Sequence, residues 1–218
     1  MVRPTTSPSP AAHDIAPSLL RTPKSLRALN AMILASPPLV AGAARAVLGE
    51  GPLGAAVAFV GEQPGDQEDQ QSRPFVGPAG QLFDRAMEQA GLDRGAVYVT
   101  NAVKHFKFEQ RGKRRIHQKP TAGEVKHYRW WLDQELRLVR PKLVVALGAT
   151  AVLALAGKAL PIGRFGGPAD FTGRRGFITV HPSYLLRIPD REAKHQAYVE
   201  FVSDLCSIRK LATKSRAG

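Results

Sequence analysis

The sequence predicts an α/β protein, a three-layer α/β/α sandwich around a central, mainly parallel sheet of four strands. Two observations lead to this prediction: short apolar runs recur along the chain, and segments with helical spacing of apolar residues separate them. Strands that are buried on both faces consist of continuous apolar runs, and parallel neighbours need a crossover, usually a helix. Right-handed crossovers then place helices on both faces of the sheet.

Four apolar runs are expected to form the strands. They comprise residues 57–60, 97–103, 143–147 and 177–180. Four helices are expected between and after these strands, because apolar residues recur there at helical spacing. The first begins after Pro78 and ends near Gly91, a residue type that commonly ends helices. The others are expected over residues 121–139, 149–156 and 191–211.

The ends of the chain differ in composition from the middle. Residues 1–23 are rich in Pro, Ser and Thr and have little apolar periodicity, so a disordered tail is expected there. Residues 24–211 are expected to form a single domain, since a chain of 218 residues has room for one sizeable core. Residues 212–218 are expected to form a flexible basic tail.

Composition limits the classes of partner and site. The formal net charge of +13 favours a nucleic acid or another acidic partner, although a basic balance also serves solubility. No stretch approaches the ~20 apolar residues of a membrane span, and the N-terminus lacks a signal pattern, so we expect a cytoplasmic protein without a membrane partner. The single cysteine, Cys206, excludes an intrachain disulfide and a four-thiolate metal site. No metal or other cofactor is expected, and nothing requires more than a monomer.

The run Lys113-Arg114-Arg115-Ile116-His117 sets three cations beside one imidazole, in what we expect to be a flexible loop. Lys and Arg neutralise phosphates whatever the sequence of the nucleic acid. The cations therefore indicate contact with a polyanion. Phosphate binding does not explain the imidazole, because the chemical role of a histidine depends on the groups beside it.

Polar residues cluster after three of the predicted strands. They occupy residues 62–66, 101–117 and 181–183. In open α/β sheets, ligands bind in the crevice at the carboxyl ends of the strands. The three segments are therefore expected to converge on one crevice.

Four segments of this sequence resemble the motifs of the uracil-DNA glycosylase superfamily. They read Gly-Glu-Gln-Pro-Gly-Asp at residues 61–66, Pro-Phe-Val-Gly-Pro-Ala-Gly at 74–80, Thr-Asn-Ala-Val-Lys at 100–104 and His-Pro-Ser-Tyr-Leu-Leu-Arg at 181–187. The resemblance covers residues 43–210 and is strongest to the family 4 enzymes and to UdgX, the uracil-DNA-capturing protein. The run at residues 113–117 resembles the insertion that sets UdgX apart from ordinary family 4 enzymes.

The resemblance implies a role for each candidate site residue. Glu62 is expected to activate water or stabilise the cationic sugar, and His181 to bind the uracil carbonyl that gains negative charge. Asn101 has the donors and acceptor to read the Watson–Crick edge, and Phe75 would stack on the flipped base. Gln63 and Asp66 are expected to contact the base or to hold the loop. The DNA contacts are expected from Lys113, Arg114, Arg115 and Ser183, with Leu185, Leu186 and Arg187 as a wedge that fills the gap left by the flipped nucleotide.

Each of these residues also has a purely structural interpretation. Glu62 suits a helix cap, and Asn101 suits backbone groups at the end of a strand. Phe75 suits an ordinary core, and His181 before a proline suits a turn. The segment at residues 185–187 suits the apolar start of a helix.

The sequence departs from the family at its iron–sulfur cluster. Family 4 enzymes and UdgX resemble each other in holding a cluster through cysteines near the N-terminus, beside the second strand and in the following helix. Here residues 18–35, His105 and Tyr128 occupy these regions without a cysteine, so no cluster is expected. Zinc at His105 and His127 lacks a third ligand. Apolar packing is expected to replace the cluster, through Leu26, Leu29, Ile33, Phe106, Tyr128 and Trp131.

Three functions remain open from the sequence. In the first, the protein is a uracil-DNA glycosylase of base excision repair that acts on single- or double-stranded DNA and lets water complete the reaction. In the second, neutral His117 attacks the sugar carbon and the protein becomes covalently linked to DNA. In the third, the chain is a noncatalytic module that binds uracil-containing DNA.

Overall fold

The computed structural model describes residues 22–40, 42–160 and 166–213. Most of the two expected tails, residues 1–21 and 214–218, lies outside the described residues. Ala212 and Thr213 belong to the last helix, which continues two residues beyond the predicted end of the domain.

A five-stranded sheet forms the middle layer, which confirms the predicted fold class. In the described residues the strands are β1 (Val57–Gly61), β2 (Tyr98–Asn101), β3 (Phe108–Arg111), β4 (Arg114–His117), β5 (Leu143–Leu147), β6 (Gly167–Phe171) and β7 (Arg174–Thr179). The order in the large sheet is β2-β1-β5-β7-β6, and β3 pairs only with β4. Strands β2, β1, β5 and β7 are mutually parallel and correspond to the four predicted strands.

Strand β6 is the one that the sequence did not predict in this sheet. It pairs antiparallel with β7 at the edge, and its sequence is Gly-Pro-Ala-Asp-Phe. Gly, Pro and Asp are depleted in strands, and proline is tolerated only where a ladder hydrogen bond is not needed. Only Phe171 of this strand is buried. Its edge position therefore explains why it carries no apolar run.

Seven helices in the described residues surround the sheet. They are α1 (Leu26–Leu34), α2 (Asp66–Gln71), α3 (Pro78–Gln89), α4 (Ala122–Val139), α5 (Ala149–Ala156), α6 (Pro182–Arg187) and α7 (Arg191–Thr213). The four predicted helices correspond to α3, α4, α5 and α7. Helix α4 begins with a capping box between Thr121 and Glu124, and α5 ends at Gly157 with φ +74°. None of these helices is long and apolar enough to cross a membrane.

The core has two parts, one on each face of the sheet, because alternate residues of each strand point to opposite faces. Val60 and Val144 pack with α1, α4 and α5 on one face. Phe59 and Val145 pack with α3, α6 and α7 on the other. Leu29, Ile33, Tyr128 and Trp131 all join the first part, as expected from the sequence, and Phe106 is also buried.

The region expected to be a flexible loop is instead an antiparallel hairpin. Strands β3 and β4 pair from Phe108 opposite His117 to Arg111 opposite Arg114. Gly112 and Lys113 form the turn, and Gly112 has φ +58°. A two-residue hairpin turn with a positive φ at its first central residue favours glycine at that position. The hairpin gives His117 a defined position at the end of β4.

Candidate active site

A cavity of about 1220 Å³ lies at the carboxyl ends of the parallel strands. The structure brings together the three polar segments that the sequence placed at this edge. Glu62 follows β1, Asn101 ends β2, and His181 follows β7 as the N-cap of α6. His117 enters the same cavity from the end of β4. Four candidate residues from separate segments therefore share one crevice.

Both carboxylate oxygens of Glu62 have a partner. Thr150 Oγ1 donates a hydrogen bond of 2.5 Å to Oε2, and His117 Nε2 lies 3.2 Å from Oε1. Burial raises the pKa of Glu62, but the hydrogen bond from Thr150 and the close contact with His117 outweigh burial and hold this pKa below its ordinary value. Glu62 is therefore ionised at neutral pH and rests against an imidazole.

Local hydrogen bonds determine which nitrogen of His181 carries the proton. The backbone N–H of Ser183 donates to Nδ1 at 3.1 Å, and Ser183 Oγ lies 2.9 Å from the same atom. Arg187 Nη1 donates to Ser183 Oγ at 3.1 Å, so the serine proton is free to point to Nδ1. Because a backbone N–H only donates, Nδ1 accepts and Nε2 carries the proton. Burial lowers the pKa of His181 to about 4, so at neutral pH the ring is an uncharged Nε2–H donor.

The Asn101 side chain is buried and makes no hydrogen bond to a described residue, whereas its backbone oxygen accepts from Lys104 Nζ at 3.0 Å. A buried amide normally has partners, so this one is available to a ligand. Phe75 lines the same cavity, with its ring centroid 6.2 Å from that of His181. Its φ of +59° is rare for a bulky residue, and such strain is concentrated at functional sites.

Gln63 connects β1 to the hairpin. Its Nε2 donates to the backbone oxygens of Lys107 at 3.1 Å and Gln118 at 3.0 Å, and its Oε1 accepts from Lys107 N at 3.1 Å. These bonds use both amide donors. Of the two roles expected from the sequence, Gln63 therefore has the contacts of a residue that holds the loop. Asp66 likewise contacts the hairpin, since it accepts from Arg115 Nε at 2.5 Å.

Arg115 differs from the phosphate contact that the sequence predicted. Its Nη1 also donates to the buried carboxylate of Asp69 at 2.6 Å, and its guanidinium lies 5.5 and 5.2 Å from the ring centroids of Phe106 and Phe108. This cation is therefore used to anchor the hairpin to α2. Lys113 and Arg114 remain exposed at the tip.

Leu185 is not part of the predicted wedge. Its side chain is 0% exposed and packs in the core under α6, because one face of this helix lies against the core. Leu186 is 41% exposed and Tyr184 is 48% exposed, and both line the mouth of the cavity beside Arg187. The exposed apolar pair at this mouth is Tyr184 and Leu186.

A buried polar network lies beneath the site and was not predicted from the sequence. Lys104 Nζ donates to Glu135 Oε2 at 2.5 Å and to Thr100 Oγ1 at 2.6 Å, and Tyr98 OH donates to Glu135 Oε1 at 2.9 Å. Both charged side chains are 0% exposed. Glu135 lies on the apolar face of α4 beside Leu132 and Leu136, and this charge within a buried stripe was the available signal.

The residues present do not fit the iron–sulfur cluster of the family that the sequence resembles. The chain has one cysteine, Cys206, which lies in α7. Where the family that the sequence resembles would hold its cluster, His105 Nδ1 and Tyr128 OH are 2.5 Å apart and both side chains are buried. Among the described residues, no group of three or more His, Cys, Asp or Glu side chains is placed to hold a metal ion.

Comparison with known proteins gives consistent matches. The model of the uracil-DNA glycosylase superfamily matches residues 48–206. A type-4 uracil-DNA glycosylase of Thermotoga maritima is 38% identical over 160 residues, which cover 72% of this chain and 80% of the relative. A type-4 enzyme of Pyrobaculum aerophilum is 36% identical over 69% of this chain and 78% of its own length. One of Archaeoglobus fulgidus is 29% identical over 73% and 81%.

Proposed function

This chain belongs to the uracil-DNA glycosylase superfamily and is a glycosylase that hydrolyses N-glycosyl bonds, and we propose that it flips uracil out of single- or double-stranded DNA and excises it in base excision repair. The observation that carries this proposal is the shared crevice of Glu62, Asn101 and His181, in which an ionised carboxylate faces a neutral imidazole donor. When a bond between a sugar carbon and a base nitrogen breaks, the carboxylate stabilises positive charge on the sugar and the donor stabilises negative charge on the base.

Recognition of the base falls to Asn101 and Phe75. The free amide of Asn101 supplies an acceptor for N3–H of uracil and a donor for O4. The ring of Phe75 provides an aromatic face for the flipped base. Because flipping removes the base from the duplex stack, an apolar side chain at the mouth of the crevice, Leu186, fills the gap.

Bond cleavage separates charge between the base and the sugar. The electron pair of the C1′–N1 bond moves to uracil, and Nε2–H of His181 stabilises the negative charge that develops on the carbonyl oxygen. Ionised Glu62 stabilises the positive charge on the sugar. Water then attacks C1′, with Oε1 of Glu62 as the acceptor for its proton, and the products are free uracil and an abasic site.

Contacts with the DNA backbone are expected from exposed cations on either side of the crevice. Lys113 and Arg114 lie at the hairpin tip, and Arg187 lies at the end of α6. Ser183 adds a hydroxyl beside Arg187. Such contacts position DNA without reading its sequence.

The test is single-turnover release of uracil from a labelled oligonucleotide. Glu62→Gln and His181→Ala are each expected to slow release by about a hundredfold or more, since each removes one charge-stabilising group. Glu192→Gln and His195→Ala are matched controls, because both residues are exposed on α7. Release at the wild-type rate by both site variants would overturn the proposal.

A second candidate outcome follows from the 3.2 Å contact between His117 Nε2 and Glu62 Oε1. In this reaction the Nε2–H proton passes to Glu62 while Nε2 forms a bond with C1′, and the electron pair of the broken C1′–N1 bond leaves with uracil. The alkylated imidazole is neutral, and the chain stays attached to the DNA sugar. The contact supports this outcome, because a nucleophile must lie beside its base.

Denaturing gels separate the two outcomes. With protein in excess over uracil-containing DNA, capture gives a retarded band that resists denaturation and is absent in His117→Ser. Hydrolysis gives free abasic DNA and more than one turnover per chain. Uracil release by His117→Ser would then show that excision itself does not need the imidazole.

A further inference from the structure

We propose that Thr150 is a positioning residue for the excision reaction, holding the carboxylate of Glu62 in its reactive orientation. This inference rests on the proposed function. Thr150 lies outside the four motifs that identify the family, and it reaches the site from α5.

Thr150 lies directly behind the part of the crevice wall that Gly148 and Ala149 form. It is the second residue of α5, follows Gly148, which caps this helix with φ +87°, and its side chain is 3% exposed. A Cβ at position 148 would lie 3.1 Å from His181 Cβ, so this turn packs closely against the other catalytic element. The side chain of Thr150 is therefore buried beside a closely packed turn.

The hydrogen bond between Thr150 and Glu62 has one direction. An ionised carboxylate only accepts, so Thr150 Oγ1 donates to Glu62 Oε2. The terminal torsion of a glutamate is broad and roughly two-fold, so the carboxylate would otherwise rotate. With Oε2 held by Thr150, Oε1 is the oxygen left to face His117 and the cavity.

The same bond affects both outcomes of the reaction. Oε1 receives the proton from water in hydrolysis and from His117 in capture, so a misdirected carboxylate impairs both. The bond from Thr150 also helps to keep Glu62 ionised. The titratable groups that face Glu62 are His117 of β4 and His181 of α6, and the hydroxyl of Thr150 acts together with them.

The decisive comparison is Thr150→Ser against Thr150→Ala. Both lose the methyl group, and only alanine loses the donor. Alanine is expected to lower the single-turnover rate of uracil release about tenfold to a hundredfold, as for loss of a hydrogen bond to a charged group, and serine to stay within about threefold of wild type. Substrate affinity is expected to change little. Thr213→Ala is the matched control, because its hydroxyl bonds only to carbonyls of its own helix.

The pH profile adds a readout that a merely structural role would not change. Removing a bond that lowers the pKa of Glu62 raises this pKa, so the acid limb of the rate profile moves to higher pH in Thr150→Ala and returns in Thr150→Ser. Equal rates and equal acid limbs in the two variants would overturn the inference. If wild type releases no uracil, the proposed function itself fails, and the two failures are therefore distinct.

Discussion

Gly61 lies where two side chains of the crevice approach the backbone most closely. A Cβ at this position would lie 2.5 Å from Asn101 Oδ1 and 2.8 Å from Phe75 Cζ. Real Cβ atoms do not come so close to their neighbours, so one of the two side chains would have to move. Glycine at this position therefore leaves room for the side chains of Asn101 and Phe75 in the crevice.

We expect Gly61→Ala to lower kcat/KM for uracil release by about a hundredfold, because misplacement near 1 Å has an effect of this size. The clash should lower the free energy of unfolding by about 1–3 kcal/mol. Gly123→Ala in α4 is the control, since the nearest atom to its added Cβ is 3.9 Å away. Steady-state kinetics and urea denaturation check both values, and full activity in Gly61→Ala would contradict this role of the glycine.

His105 links stability to pH. It is 1% exposed, and burial lowers its pKa to about 4, while an unfolded histidine titrates near 6.5. Below pH 6.5 the unfolded chain binds a proton that the folded chain does not bind. Stability contributed by neutral His105 is therefore fully present above pH 6.5 and is lost as the pH falls towards 4.

Through His105, the free energy of unfolding of wild type is expected to fall by about 2 kcal/mol between pH 7.5 and pH 5. His105→Gln is expected not to show this part of the fall. Glutamine does not titrate in this range and can still accept a hydrogen bond from Tyr128. Urea denaturation at the two pH values measures the difference, with the exposed His195→Gln as the control. The same pH dependence in His105→Gln and wild type would show that His105 is not the group responsible.

Helix α6 has one face in the core and one exposed face at the mouth of the cavity. Leu185→Ala should lower the free energy of unfolding by about 2–5 kcal/mol, since it removes a fully buried side chain. Leu186→Ala should change stability by less than about 1 kcal/mol and slow excision more in double-stranded than in single-stranded DNA, because only the duplex leaves a gap to fill. Equal effects on the two substrates would rule out a wedge.

Arg114 and Arg115 of the hairpin are expected to differ in their effect on DNA binding. Arg114→Gln should reduce the slope of log affinity against log salt concentration by about 1, as for one lost phosphate contact. Arg115→Gln should leave this slope unchanged, because its guanidinium pairs with Asp66 and Asp69. Titration of a noncleavable uracil analogue in DNA at several salt concentrations measures both slopes. A reduced slope in Arg115→Gln would show that DNA displaces the carboxylates.

Strands that bury both faces could be predicted from the sequence, and strands with mostly exposed residues could not. The runs at β1 and β5 are apolar at every position and match their predicted bounds within one residue. Strands β3 and β4 have mostly exposed or half-buried polar residues, and so the hairpin lacked an apolar signal. The contacts of Arg115 and Leu185 differ from those expected for a related reason, since the direction of a side chain depends on packing partners far away in the sequence.

The molecule as a whole is held together without the thiolates of a cluster. Two apolar layers cover the sheet, and α1 packs on α4 through Leu29 and Ile33, where the sequence predicted apolar packing in place of a cluster. The crevice was predictable because all parallel strands end at one edge. Thr150 and Glu135 were not, because their roles depend on contacts with residues 88 and 31 positions away along the chain.

We expect purified protein to contain far less than one equivalent of iron or zinc per chain. Prolonged chelation should leave Tm and uracil release unchanged, because the described side chains offer no set of metal ligands. Elemental analysis and thermal denaturation with and without chelator are the measurements. About one metal cluster per chain, together with a fall in Tm on chelation, would contradict this expectation.

The hairpin of β3 and β4 forms its own two-stranded sheet and is joined to the body by side chains such as Gln63 and Arg115. The backbone pairing of the hairpin is therefore separate from that of the five-stranded sheet. This separation makes the placement of His117 depend on side-chain contacts with the segment after β1 and with α2, and not on the backbone pairing of the large sheet.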